Sequence, residues 1–212
     1  VYIYDKNFKT LSEVFKDKYI IDVNLSADGG RVLVLSCDTD ENGAFYTELQ
    51  SIVPGREEAE FTVTIAERFP LCASYYENGN IGVLCAGLFE TYNKKGEKIA
   101  SFDFTGDTTP ACGFGGDYAA LSFRKNAIGV ESLIKIISSD GSVQDAEIEL
   151  QGEINRLKCE PTGVYALLPD AVARVQTKTG QVAYEKTQSN PLDFIVRDET
   201  TLLVCYNNKT QA

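Results

Sequence analysis

Ile20-Ile-Asp-Val-Asn-Leu-Ser-Ala-Asp-Gly-Gly-Arg-Val-Leu-Val-Leu-Ser36 is the stretch whose reading decides the fold. Two apolar runs of strand length flank Asp28-Gly29, a dipeptide that supplies the positive φ a tight hairpin turn needs. The stretch therefore reads as a β-hairpin, and the same plan returns four more times. Asn78-Gly79-Asn80, Gly115-Gly116-Asp117, Pro161-Thr162-Gly163 and Arg197-Asp198-Glu199 each stand between two short apolar runs. The preceding runs are 20–25, 71–75, 110–114, 154–159 and 192–196; the following runs are 32–36, 81–85, 118–123, 164–168 and 201–205. Successive turns lie roughly 36 to 50 residues apart, the range of propeller blades with four strands each.

A second, weaker hairpin falls between these. Phe89-Glu-Thr-Tyr-Asn-Lys-Lys-Gly96, Ile134-Lys-Ile-Ile-Ser-Ser-Asp-Gly141 and Ala173-Arg-Val-Gln-Thr-Lys-Thr-Gly180 each lead into a returning strand of alternating apolar and polar residues. That alternation is expected of outer strands with one wetter face. In the first full unit the outer hairpin is 45–52, a Pro54-Gly55 turn and 61–65, with the acidic insertion Glu57-Glu58-Ala59-Glu60 read as a solvated loop. Short helical turns fit 11–18 and 57–60, and no conventional helix is expected.

The ends of the chain complement each other. Val1-Tyr-Ile-Tyr4, Asp5-Lys6-Asn7 and 10–15 match an outer hairpin, while 192–196 and 201–206 match an inner one. Two half-blades make a whole blade if the chain closes into a ring, which also hides exposed strand edges. The expected fold is all-β: a β-propeller of four-stranded antiparallel blades, five in number, with the last blade shared between the termini. The blades fall at 19–65, 69–105, 109–150, 153–187, and 191–212 plus 1–15, a single domain over 1–212. A piece of a larger propeller is the rival.

Composition narrows function. The chain has 212 residues, 43% of them hydrophobic, enough for a substantial core. A net charge of −11 argues against nucleic acid and anionic membrane surfaces. No histidine is present, which removes the commonest general base, every Ser-His or Cys-His pair and a frequent metal ligand. No apolar run reaches membrane-span length, so this domain is not expected to insert. Without a methionine, the sequence reads as trimmed, and an upstream export signal or membrane anchor is an expectation.

The segment Ala173-Arg-Val-Gln-Thr-Lys-Thr-Gly-Gln-Val-Ala-Tyr184 resembles the blade of quinoprotein-like propellers, with its strand, Thr-Gly turn and returning strand ending in an aromatic. Asp5-Lys6-Asn7 and Ser139-Asp140-Gly141 look like degenerate copies. By repeat pattern the chain is similar to the quinoprotein-like and WD-repeat-like β-propeller superfamily, and in style to bacterial propeller domains tethered outside the cell by one membrane helix. That resemblance implies an extracytoplasmic, tethered or secreted binding or sensing scaffold. The Gly-His and Trp-Asp marks of WD repeats are missing, and the lack of Trp speaks against a quinone cofactor.

Several residues invite a chemical reading. Asp38-Thr-Asp-Glu-Asn-Gly43 is the first half of a calcium loop, with Asp38, Asp40 and Asn42 as candidate ligands, although Tyr46 stands where a further Asp would follow. The plainer reading is a polar turn. No organic cofactor is expected, and calcium is the one ion the motif admits. The six Cys show no Cys-x-x-Cys pair. Cys85 and Cys205 fill a slot held by Ser36 and Ser122, as small residues where blades pack. With Asn78-Gly79 as a two-residue loop, Cys72 falls opposite Cys85, where a disulfide would form in an oxidising compartment.

Glycosidases on five-bladed propellers set carboxylates around a central channel. Asp22 and Asp193 lie on innermost strands, with Glu153 near a third, and two carboxylates at a suitable separation serve as acid and base. The leading expectation is different: a non-enzymatic scaffold whose inter-strand loops, carrying Arg68, Arg124, Lys125, Asn126 and Asp170, meet a protein or peptide ligand. Tyr75, Tyr76 and Phe114 are candidate aromatic anchors. A glycan-binding or glycoside-hydrolysing propeller is the alternative.

Overall fold

The structure is a computed structural model, and it describes residues 1–13, 18–56, 58–104, 111–124, 131–144, 148–198 and 200–207. It is all-β, and the chain divides into two compact units: Val1–Gly106 with Ser139–Ser142, and Asp107–Ser138 with Val143–Ala212.

The first unit opens with a two-stranded sheet, β1 (Tyr2–Tyr4) and β2 (Thr10–Glu13). A four-stranded antiparallel sheet follows, made of β3 (Tyr19–Leu25), β4 (Val32–Thr39), β5 (Phe45–Ile52) and β6 (Phe61–Ala66), paired in chain order. A second such sheet contains β7 (Pro70–Tyr75), β8 (Ile81–Cys85), β9 (Leu88–Tyr92) and β10 (Lys98–Asp103). The second unit repeats the plan. Its first sheet is β11 (Ala111–Gly115), β12 (Tyr118–Arg124), β13 (Glu131–Ser138) and β14 (Ile148–Gln151). Its next is β15 (Arg156–Glu160), β16 (Gly163–Leu167), β17 (Ala171–Val175) and β18 (Val182–Lys186), and β19 (Asp193–Asp198) with β20 (Thr201–Cys205) forms a two-stranded sheet. These meanders of four strands are the blade arrangement of the β-propeller class. The hairpins at the two ends, β1–β2 and β19–β20, are each two-stranded sheets.

Burial explains the patterning. β8 and β16 are buried along their whole length, because middle strands are covered on both faces and read as continuous apolar runs. The outermost strands β10 and β14 alternate, since only one face meets a neighbour. In the first unit, Leu33, Leu35, Leu49, Ile81 and Val83 fill the space between its two large sheets, and Val1 and Ile3 pack on Val32, Val34 and Ile52. In the second unit the equivalent layer holds Ile134, Ile136, Leu150, Leu157 and Val164, while Phe194 of β19 packs with Tyr165, Leu167 and Val172.

The turns differ from expectation in length. The chain pairs Ser26 with Arg31 and Tyr76 with Asn80, so the first unit's inner hairpins carry four- and three-residue loops in place of tight two-residue turns. Gly29 and Gly79 take the left-handed position (φ 68° and 84°), while Asp28 and Asn78 accept hydrogen bonds from the backbone two residues on. This shifts the register by one: Cys72 faces Leu84, and Pro70 faces Cys85 across an irregularity. Both cysteines are free thiols, so the expected Cys72–Cys85 disulfide is not made. The second unit does use two-residue loops, with Gly115 opposite Tyr118 and Glu160 opposite Gly163. Of the expected helical turns, 11–13 belong to β2 and 14–17 and 57 lie outside the described residues.

Candidate functional site

The inter-strand links expected to bind a ligand carry three described candidates; Lys125 and Asn126 lie outside the described residues. In the first unit Arg68 follows β6, and its guanidinium pairs with Asp103 at 3.2 Å and reaches the Ala86 carbonyl at 3.4 Å. In the second unit Arg124 ends β12 and forms an ion pair with Glu153, both half-exposed. That pair borders an open cleft of about 350 Å³ that also includes Ser122, Ser132 and Ile154. Asp170 sits on the β16–β17 link, where its carbonyl accepts from the Thr187 amide at 2.8 Å. Arg68 and Asp170 lie on links, and Arg124 closes β12. Arg124 is brought to a partner across a cleft, and Arg68 is tied into its own link.

The candidate acid–base carboxylates have other partners. Asp22 accepts the Ala73 amide at 3.0 Å and the Val23 amide at 2.9 Å, so it stitches β3 to β7. Asp193 accepts the Phe194 amide at 2.8 Å and pairs with Lys158 at 2.9 Å; that ammonium holds its carboxyl below the ordinary range. Lys158 also donates to the Phe194 carbonyl and lies 4.8 Å from the centre of the Phe194 ring. The two carboxylates belong to different units, and each works in the packing of its own inner strand. Glu153 is held by Arg124.

The calcium-like loop is a hairpin turn. Asp40 Oδ1 accepts from the amides of Asn42 and Ala44 at 2.8 and 2.9 Å, and Asp38 Oδ1 accepts from Thr39 at 2.8 Å. Gly43 takes the left-handed position at φ 79°. Two sister turns repeat the geometry: Asn93 caps Lys95 and Glu97, and Asp5 caps Asn7 and Lys9. In the last of these Phe8 occupies the glycine position at φ 61°. Oxygen acceptors at this spacing thus serve backbone amides. Among the described residues no group of three His, Cys, Asp or Glu converges as a metal would require.

A better-built recess lies at the opposite, turn-bearing end of the first unit. It measures about 300 Å³ and is framed by Ser26, Ala27, Asp28 and Arg31 on one turn, the stretch from Tyr75 to Gly79 on the next, and Lys94 beside it. The longer loops make the walls. Two lining residues, Tyr75 and Arg31, belong to a polar relay that runs behind the recess. Tyr75 Oη lies 2.7 Å from Ser51 Oγ, Ser51 Oγ is 3.3 Å from Glu60 Oε2, and Glu60 receives the Arg31 guanidinium at 2.6 and 3.4 Å. Burial pushes the Tyr75 hydroxyl up, and Glu60 raises Arg31, so the phenol stays protonated and the guanidinium charged. The Ser26 hydroxyl, 2.6 Å from Asp28 Oδ1, holds the Asp28 carboxyl below the ordinary range. Asn78 and Asn80 each donate to Ser139, at 2.8 Å in both cases, and fix the second wall.

Tyr75 and Tyr76, the aromatic anchors expected from the sequence, are both buried, at 8% and 1% exposure. The groove they line is not legible in the sequence, because its depth depends on loop length. The available signal was the pair of charged tips, Asp28 and Glu77, on neighbouring turns.

No family model and no curated protein matches the chain. Solved structures do. The Pan2 WD40 domain of Neurospora crassa aligns over 92% of this chain and 62% of its own, with a TM-score of 0.62 at 11% identity. A HIRA structure aligns over 82% of this chain and 56% of its own, with a TM-score of 0.54 at 10% identity. A protein of unknown function from Bacteroides caccae aligns over 96% and 77%, with a TM-score of 0.53 at 9% identity. The chain thus spans less than two thirds of the first two. At these identities the likeness is one of fold: an all-β architecture resembling WD40 and other propeller domains.

Proposed function

We propose that the protein is a non-enzymatic binding scaffold for a protein or peptide ligand, and that the turn-end groove of its first unit is the contact surface. The observation that carries this reading is the groove itself. It is concave, walled by two hairpin turns that carry their own capping hydrogen bonds, and lined by Tyr75 and Arg31, which a hydrogen-bonded relay behind them holds in place. The resemblance to WD40-type domains supports a scaffold role by fold analogy. The carboxylates that a hydrolytic reading needs are spent on strand-to-strand contacts.

The test is selection from a randomised heptapeptide library on the immobilised chain and on Ala27→Trp, which fills the groove from an exposed turn position. Enrichment on the natural chain, lost in the variant, is the expected result. Equal enrichment on both places the contact surface elsewhere, and no enrichment at all removes the peptide-binding reading.

A further inference from the structure

We infer that the groove of the first unit selects a basic side chain, so that the ligand is a peptide presenting Lys or Arg; this rests on the peptide-binding reading above. Four charged side chains border the recess: Asp28, Glu77, Arg31 and Lys94. Their states are not equivalent. Arg31 makes its two-point contact with Glu60 and acts on Asp28 only through a weaker electrostatic attraction. Asp28 uses Oδ1 for the Ser26 hydroxyl and the Gly30 amide, at 2.6 and 2.9 Å, and no contact among the described residues engages Oδ2. Glu77 has no ion-pair or side-chain hydrogen-bond partner among the described residues. Two carboxylates therefore border one recess with acceptor capacity left over, one on each wall.

The lining complements a cation in a second way. Tyr75 lines the recess at 8% exposure, and its exposed edge offers apolar surface to the alkyl stem of a basic side chain. The whole chain adds direction, because a net charge of −11 draws basic ligands toward it and repels acidic ones. Lys94, unpaired among the described residues, opposes a ligand cation. Its removal should therefore strengthen binding, an effect opposite to that of removing Glu77.

The experiment repeats the heptapeptide selection on the natural chain and on Glu77→Gln, an exposed, near-isosteric change on a turn. One position rich in Lys or Arg is expected on the natural chain, with that preference lost on the variant. For the strongest peptide, anisotropy at low salt should show Arg→Gln in the peptide weakening binding by about tenfold. Glu77→Gln and Asp28→Asn should each weaken it by about three- to tenfold, and Lys94→Ala should tighten it by about two- to threefold. An apolar or acidic consensus, or equal affinity for the Arg and Gln peptides, overturns the basic-ligand inference and leaves peptide binding standing. No enrichment removes both.

Discussion

In the first unit the inner strands β3 and β7 are joined through side chains; in the second, β11 and β15 meet backbone to backbone. Between β3 and β7 the Asp22 carboxylate reaches the Ala73 amide, and branched and aromatic residues fill the layer behind them. At Gly113 and Gly115 of β11 there is no room for a side chain against β15, whose Cys159 thiol reaches the Gly113 carbonyl at 3.2 Å. A Cβ on Gly113 would stand 2.6 Å from the Leu157 carbonyl oxygen, and one on Gly115 would stand 1.7 Å from that of Cys159. The turns follow the same division, long and charged in the first unit, two-residue in the second. One repeat therefore tolerates two ways of setting strand spacing, and the looser one accompanies the turns that wall a groove.

The largest effect should come from putting a side chain where the second unit has none. Gly115→Ala forces β11 and β15 apart, at a cost of about 3 kcal/mol or more. For a chain of this size that lowers the melting temperature by about 6 °C or more. A change within about 1 °C would show that the strands are not in backbone contact.

Titration of the buried groups comes next. Burial pushes the Cys85 thiol from 9.0 up to about 12, and raises Cys159 and Tyr92 as well. The folded chain then holds protons that the unfolded chain releases, so this stability is fully present below pH 9 and is lost as pH rises toward 12. Urea midpoints at pH 8 and 10.5 should show the fall. Cys159→Ala should remove part of it from the second unit, and an unchanged slope would mean that this thiol is not buried.

Asp22→Ala should be milder, about 1 kcal/mol, since it deletes one partly exposed hydrogen bond across β3 and β7. Urea unfolding measures it; no loss would leave the first unit's side-chain stitching without energetic weight. Smallest, and of opposite sign, is Phe8→Gly. An 87% exposed phenylalanine holds the left-handed position that glycine takes in the sister turns, so the substitution should stabilise by about 0.5 to 1 kcal/mol. A loss of stability would mean that the Phe8 ring makes contacts outweighing its backbone strain.

Much of this architecture was legible because strands and turns write themselves locally. Alternation at period two, all-apolar middle strands and Gly, Asn or Asp at the tips located the hairpins. Loop length was not legible, because Asp28-Gly29 and Asn78-Gly79 suit both two-residue turns and longer ones with a glycine at the left-handed position. The lost residue of register removed the expected Cys72–Cys85 pairing. Gly113 and Gly115 hid in plain view: a glycine that clears space for a neighbouring backbone looks the same as one that ends a strand. The Asp38–Asn42 motif is ambiguous for a related reason. A turn that caps its own amides and a loop that holds calcium both need side-chain oxygens at alternate positions, and sequence cannot say which way they point. The Asp28 and Glu77 tips were visible as residues, but the groove between them exists only once both loops have their lengths.

The most direct test of the account is amide hydrogen exchange with and without a saturating Arg-centred peptide from the selection. The account predicts slowed exchange at residues 26–31 and 76–80, with no change at the links around Arg68 and Arg124. Slowed exchange at those links, with the turns unaffected, would contradict it.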